Sequence, residues 1–388
     1  MNYIVISPYY PQNFQKFSLE LAKQGVNVLG IGQEPYDQLG SDLQGALTEY
    51  FRVSDLEDLD EVKRAVAFLF YKHGPIDRIE SQNEYWLELD AELRTQFNVF
   101  GPKNEDIEKT KYKSKMKEIF RSAGVPVTPG RVVTNEAEVE EAVERLSLPL
   151  IAKPDNGVGA AATYKLEEPR SVREFLENWD QSVAYFLEPF VTSTEICTFD
   201  GLVDANGEIV WSTSFDYTDT PLNILIHQKG IAYYTQTEVD PLLRQYGEAA
   251  VKAFGMKERF FHIEFFRNGD DYIAIEYNNR PAGAFAMDVY NFGYSRDLFR
   301  DYASLVAGHG FPEADGPLNH ALAATRRDEK NYQVSKEELL ERYAANLKAN
   351  VRMPEAFAAL QGNDMFIFTS DDIEVIHNII HDVEALAD

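Results

Sequence analysis

Apolar residues recur along the chain with two periods, and the alternation of those periods organises it. Tyr3-Ile4-Val5-Ile6 is a continuous apolar run and predicts a buried strand. Residues 13–23 place Phe14, Phe17, Leu21 and Ala22 on one helical face, and Gly25 ends that helix. Strand follows at 26–31, helix at 59–71, strand near 76–79 after Gly74-Pro75, helix at 85–93 and a short strand at 98–101. Strand and helix in alternation predict a parallel α/β sheet over residues 1–103. Ser7-Pro8-Tyr9-Tyr10 follows the first strand where a dinucleotide fold needs glycines, so dinucleotide binding is not supported.

Beyond residue 103 the pattern changes. Residues 104–123 read as one charged helix, with Ile107, Met116, Ile119 and Phe120 on its apolar side. Gly124-Val125-Pro126 breaks it and leads into an extended segment. Helices are expected at 136–145, 172–179 and 242–254, and strands at 150–154 and 184–191. Asp204-Ala205-Asn206-Gly207 predicts a hairpin between strands 194–203 and 208–217. Residues 218–234 look irregular, and 294–307 read as an amphipathic helix. From about 311 a smaller unit is expected: strand 320–325, helix 336–348, strand 365–368 and helix 371–386. His377 and His381 share a face of that last helix, but Asn378 stands where a zinc-protease motif needs glutamate, so they read as a surface pair.

The most informative stretch is FFHIEFF-RNGDD-YIAIEYNNRPAG, residues 260–283. Asn268-Gly269 between alternating apolar runs predicts a tight hairpin. His262, Glu264 and Phe266 share one face of the first strand. On the second, strict alternation groups Tyr272, Ala274, Glu276, Asn278 and Arg280, with Ile273, Ile275 and Tyr277 opposite. A two-residue turn would set Glu264 against Ile273. Glu264, Glu276 and Asn278 therefore meet only if the connection holds an odd number of residues or a bulge supplies one. Two carboxylates and an amide on one face suit a hard cation; the alternative is a half-buried strand with polar residues facing water. Arg280 beside them adds an anion clamp.

Composition narrows the field. At 388 residues the chain is long enough for two or three domains. Its single cysteine, Cys197, excludes an intramolecular disulfide and fits a reducing cytoplasm. No apolar run approaches a membrane span, and the N-terminus lacks a signal peptide's basic start. A formal net charge of −27 argues against nucleic-acid or anionic-membrane partners. In so acidic a chain the placement of cations carries information. Lys109, Lys111, Lys113, Lys115 and Lys117 alternate along one segment, which reads either as a solvated face or as a phosphate site. Lys153 ends a strand and is followed by Asp155-Asn156-Gly157-Val158-Gly159-Ala160, a small-residue loop that lets backbone N–H groups approach an anion. It lacks the GK[ST] of a Walker loop, and a plain strand hairpin is the alternative.

IAKPDNGVGA, EPFVTSTE, HIEF and AIEYNNRPAG, in that order, resemble the ATP-grasp superfamily over about residues 1–310, particularly its carbamoyl-phosphate-synthase-like and carboxylate–amine-ligase-like members. The resemblance implies a mixed α/β and α+β architecture: an N-terminal Rossmann-like pre-ATP-grasp domain (1–103), an ATP-grasp domain (104–310, small lid about 125–190) and a C-terminal α/β subdomain (311–388). It implies ATP and Mg²⁺, or Mn²⁺, as cofactors. Lys113 matches the first nucleotide lysine, with Lys111 and Lys115 as competitors and Tyr112 where the family has aspartate. Lys153 matches the α/β-phosphate lysine, and Asp155, Gly157 and Gly159 the covering loop. Glu188, Phe190 and Val191 match the adenine hinge, and Glu195 the ribose carboxylate. Glu264, Glu276 and Asn278 match the metal ligands. Lys153 and Arg280 are the expected catalytic cations, Arg280 at the acyl-phosphate or acceptor site. The implied reaction activates a small-molecule carboxylate for attack by an amine. Carboxylation, phosphoryl transfer or nucleotide-dependent regulation without turnover are alternatives. The acceptor pocket is expected from the N-terminal loops, residues 212–234 and 280–285, with Asp216, Tyr217, His227 and Arg326 as candidates. A homodimer is compatible with the resemblance.

Overall fold

Strands β1 (Asn2–Ile6), β2 (Asn27–Gly32), β3 (Glu49–Arg52) and β4 (Arg78–Glu80) form a parallel sheet in the order β3-β2-β1-β4. Their apolar side chains are closed off by helices such as Leu59–His73, whose Asp58 cap accepts from the Glu61 N–H at 3.0 Å. The computed structural model describes residues 1–157, 162–193 and 195–387. No strand forms at 98–101; Asn98 instead ends the preceding helix in the left-handed conformation, φ 51°.

The segment expected as a lid forms a second sheet. Strands β5 (Arg131–Val133), β6 (Leu150–Pro154), β7 (Tyr164–Leu166) and β8 (Tyr185–Pro189) lie antiparallel in the order β5-β8-β6-β7. Alternation does the sorting. Leu150, Ala152, Tyr185 and Leu187 pack with Val139, Ala142 and Phe175 of the covering helices, while Ile151, Lys153 and Glu188 point the other way, into a cleft.

The large sheet comprises β9 (Ile196–Val203), β10 (Ile209–Thr213), β11 (Phe215–Tyr217), β12 (Ala232–Thr235), β13 (Arg259–Asn268), β14 (Asp271–Asn278), β15 (His320–Arg326), β16 (Leu347–Arg352) and β17 (Asp364–Ser370). Its order is β14-β13-β9-β11-β12-β15-β17-β16, with β10 on β9. One face is sealed by helix Pro241–Phe254, capped by Asp240 at 2.9 and 3.2 Å and ended by Gly255 at φ 68°. That helix lies so close that a Cβ on Gly247 would stand 2.1 Å from the Phe199 ring. Phe254 stacks on Tyr277 with centroids 3.9 Å apart. The opposite face is covered in part by helices Ala286–Tyr294 and Leu298–Val306, and its remaining part, with Glu264 and Glu276, lines the cleft. The C-terminal strands do not stand apart: β15 pairs with β12, so residues beyond 311 continue the central sheet.

Several boundaries move for identifiable reasons. The lysine-rich segment is two helices, Asn104–Lys111 and Lys113–Ser122, because Tyr112 takes extended angles and Asp155 caps the second. Residues 218–234 contain a helix, Pro221–His227, and β12. Helix 294–307 is replaced by Ala286–Tyr294 and Leu298–Val306, separated by Ser295 at φ 47°. The helix expected over 336–348 stops at Arg342, because pairing with β17 takes the chain into β16. Among the described residues no helix is long and apolar enough to cross a membrane.

Candidate active site

The hairpin β13–β14 carries the acidic half of the site. Asn268 pairs with Asp271, so the turn is Gly269-Asp270, one residue later than Asn268-Gly269. Regular pairing from there would set Ile275 opposite Glu264. Instead the register shifts after Glu264, Ile275 becomes the extra residue of a bulge, and Glu264 faces Glu276 directly. The bulge also regroups the faces. Tyr272, Ala274 and Tyr277 turn into the core, while Ile273 and Glu276 join Glu264 and Phe266 in the cleft. Strict alternation had put Tyr272 and Ala274 with Glu276 and Ile273 with Tyr277; both groupings are corrected.

The cleft encloses about 430 Å³ between lid and central sheet. Lys113, Lys117, Lys153 and Glu188 line it together with Glu264 and Glu276. Lys153 Nζ lies 2.5 Å from Glu188 Oε1, and Lys117 Nζ 3.1 Å from Glu188 Oε2. Thr128 donates to the same carboxylate, and Lys117 also donates to the Ala274 carbonyl at 3.0 Å. Burial pushes the Glu188 carboxyl up, but Lys117 and Lys153 outweigh it and hold it at about 2. Burial pulls Lys153 down, yet Glu188, Glu276 and Glu264 leave it raised. For Lys117 burial wins and its ammonium is destabilised, with Lys153 adding to the effect. Both Glu188 oxygens are thus engaged at the cleft wall by Lys117, Lys153 and Thr128.

Lys113 Nζ donates to the Gly157 carbonyl at 2.8 Å and lies 3.7 Å from Glu276 Oε1. Lys111 turns instead to Glu84 at 3.5 Å, and Lys115 lies at the surface 3.9 Å from Glu118. Asp155 accepts from Ser114 N and Oγ, both at 2.8 Å, and so fastens the lid to a helix start instead of presenting a free carboxylate. Gly159 lies outside the described residues. Phe190 and Val191 line the cleft, Phe190 beneath the Lys165 ammonium at 4.2 Å. Glu195 is exposed at the rim, 3.8 Å from Arg267, with Thr192 and Ser193 rather than Glu195 forming the wall.

Asn278 sits opposite His262, its Oδ1 3.5 Å from Arg280 Nη2. Arg280 Nε is held by Glu84 of the N-terminal domain at 2.7 Å. His262 bridges Asp200 Oδ1 at 2.6 Å and Glu264 Oε1 at 3.2 Å, and Tyr290 and Thr198 complete Asp200. Burial disfavours the imidazolium, but these two carboxylates raise His262 to about 9. In turn His262 overcomes the burial of Glu264 and keeps it low. Glu276 goes the other way, raised by burial and by Glu264 against the pull of Lys113. Asp200 and Glu84 carried no sequence signal before the register was known. His262 shares the face of Glu264 by its spacing of two, and Lys117 shares that of Lys113 by one helical turn.

Do these residues suit a divalent cation? Among the described residues no three His, Cys, Asp or Glu side chains converge as a self-sufficient metal cluster. The donors are two facing carboxylates and an amide oxygen. That fits an ion such as Mg²⁺ that keeps waters and takes substrate phosphates as further ligands. Facing like charges are also relieved by such an ion.

Of the residues proposed as acceptor contacts, Tyr217 lines the cleft. Asp216 bonds Gln236 and Arg267, His227 is exposed, and Arg326 is buried against the carbonyls of Val334, Asp382 and Val383.

No family model matches the chain. Among curated proteins it is similar to the L-arginine-specific L-amino acid ligase of Bacillus subtilis, 26% identical over 259 residues, 64% of this chain and 60% of that protein. It is likewise similar to the carbamoyl phosphate synthase large chain of Methanothrix thermoacetophila, 26% identical over 246 residues, 61% of this chain and 22% of that one. The chain thus spans three fifths or less of these relatives. Among solved structures, an L-amino acid ligase from Bacillus licheniformis superposes with TM-score 0.74 at 15% identity, covering 98% of this chain and 96% of that one. An N5-carboxyaminoimidazole ribonucleotide synthetase in complex with ADP gives TM-score 0.70 at 14% identity, covering 97% and 94%. The shared fold, the strand–loop–hairpin order and these sequence likenesses all indicate the ATP-grasp superfamily.

Proposed function

We propose that the protein is an ATP-dependent ligase that activates a carboxylate as an acyl phosphate and joins it to an amine. The observation that carries this reading is one cleft that gathers Lys113, Lys117 and Lys153 around the facing pair Glu264/Glu276. Such a site neutralises a polyphosphate and positions it, and phosphoryl transfer needs little else from a protein.

In this reading Lys153 and Lys113 hold the phosphates, and Phe190 and Val191 border the base. Glu195 is assigned to the ribose, which requires it to leave Arg267. Glu264, Glu276 and Asn278 would hold Mg²⁺ or Mn²⁺, which would supply charge neutralisation to the nucleotide's phosphates. A substrate carboxylate oxygen attacks the γ-phosphorus and ADP leaves. The amine nitrogen then attacks the acyl carbon, the C–O bond to phosphate breaks, and the nitrogen loses a proton. Arg280 has Nε engaged by Glu84, Nη1 by the Pro281 carbonyl and Nη2 by Asn278 Oδ1, which leaves one further N–H on each Nη to stabilise the acyl phosphate. The relatives named as amino acid ligases support the amine as acceptor.

A second reading is carboxylation, with bicarbonate as the activated carboxylate, supported by the fold shared with the carboxyaminoimidazole synthetase. The test is a phosphate-release screen of amino acids and small carboxylic acids, singly and in pairs. The ligase reading expects equal ADP and phosphate release with a particular acid and amine together. Release with no pair, or with bicarbonate alone, contradicts it.

A further inference from the structure

The cleft is divided by charge. Its floor crosses the central sheet: Glu276 on β14, Glu264 on β13, Ile196 on β9 and Tyr217 on β11. At about 4.8 Å per strand, roughly 14 Å separates β14 from β11. All the cations of the cleft gather at the β14 end, where Lys117 reaches the Ala274 carbonyl and Lys113 approaches Glu276. The far wall comprises Tyr217, Thr220, Asn223, Ile224, Ile231 and Gln361, and none of them is charged.

Gln361 is the unexpected member. It ends helix Glu355–Gln361, more than eighty residues beyond the metal hairpin, and brings the C-terminal region to the cleft. Its backbone carbonyl accepts from Ile231 N at 3.3 Å and from Thr325 Oγ1. The neighbouring segment is fastened equally tightly: a Cβ on Gly230 would stand 2.2 Å from the Thr325 carbonyl oxygen. The wall is thus built on β12 and β15, not on a loose loop. Yet the Gln361 side-chain oxygen is buried with no hydrogen-bond partner among the described residues. An acceptor left in that condition is costly, and a turn of the side chain towards the cleft would let a ligand donor meet it.

We propose that this wall receives the side chain of one of the two organic substrates, that this side chain is uncharged and mainly apolar, and that Gln361 is a specificity-determining residue. Ile224 and Ile231 supply apolar surface. A charged side chain there would be desolvated with no counter-ion on the wall to meet it. The inference rests on the ligase reading of the same cleft.

The experiment is calorimetric titration of the full chain, with Mg²⁺ and a non-hydrolysable ATP analogue, using amino acids and carboxylic acids with neutral or charged side chains. Neutral apolar members should bind at least tenfold more tightly than charged ones of similar size. Gln361→Glu should weaken the favoured member at least tenfold and Gln361→Ala severalfold, with the nucleotide Kd of both variants within twofold of the parent. Retained nucleotide affinity reports that the variants are folded. Equal binding of charged and neutral members, no binding by any of them, or parallel loss of nucleotide affinity would overturn the proposal. Binding without phosphate release would instead count against the ligase reading alone.

Discussion

Glu264 and Glu276 face each other across β13 and β14 because Ile275 is taken up as the extra residue of a bulge. Two carboxylates so placed repel each other in the free protein and attract a cation. Glu276→Gln removes the repulsion, so the metal-free variant should be as stable as the parent or more stable by about 0.5 kcal/mol. Mg²⁺ with nucleotide should raise the parent's melting temperature much more than the variant's, and turnover should fall at least a hundredfold. Thermal melts with and without the ion check all but the last; an unchanged rate would remove Glu276 from the site.

Lysine assignment in the doubled helix is decided by direction. Lys113 and Lys117 face the cleft, whereas Lys115 lies at the surface beside Glu118. Lys113→Met should weaken ATP binding tenfold or more, and Lys115→Met should leave it within twofold. Fluorescent-nucleotide titration separates them. Equal effects would mean that charge density alone, not position, accounts for affinity.

Glu188 makes stability depend on acid. Its carboxyl is held at about 2 against an ordinary 4.5. A folded-state value below the unfolded one gives stability that is present above about 4.5 and lost as pH falls towards 2. The difference corresponds to on the order of 3 kcal/mol. Glu188→Gln should therefore lower stability at pH 7 by a similar amount and flatten the acid limb of a denaturant-midpoint-against-pH curve. A variant as acid-sensitive as the parent would show that other groups govern that limb.

The N-terminal domain is tied to the hairpin by a buried ion network. Arg259 Nη2 lies 2.9 Å from Glu80 Oε2, which Arg94 also contacts at 2.7 Å, and Arg259 Nε donates to the Asn279 carbonyl at 3.3 Å. Arg259→Met breaks the network from one side, and removal of one member of a buried pair costs about 3–5 kcal/mol. Urea denaturation should show a loss of that size. A loss under 1 kcal/mol would mean that this network adds little to the attachment of the N-terminal domain.

Much of this site was legible before the fold was seen. Alternation over Leu150–Pro154 and Tyr185–Pro189 sends Lys153 and Glu188 to one face, as any half-buried strand would. The hairpin's parity problem was visible too, including its solution by a bulge. That Ile275 would supply the bulge was not, because no glycine or strained residue marks the position. The break at Tyr112 was hidden for the same reason: lysines and glutamates continue the helical pattern on both sides. Residues 343–348 have good helix formers, yet pairing with β17 overrides their propensity. Contacts between distant segments, such as Glu84 with Arg280 or Asp200 with His262, depend on topology and register, which local pattern does not contain.

Activation of a carboxylate by phosphorylation leaves an isotopic trace in the released phosphate. Once the screen has found an active acid and amine, the acid is supplied with ¹⁸O in its carboxylate and the released phosphate is analysed by mass spectrometry. Acyl-phosphate formation predicts one ¹⁸O in each phosphate released. Unlabelled phosphate accompanying full ADP and product formation would rule out an acyl phosphate.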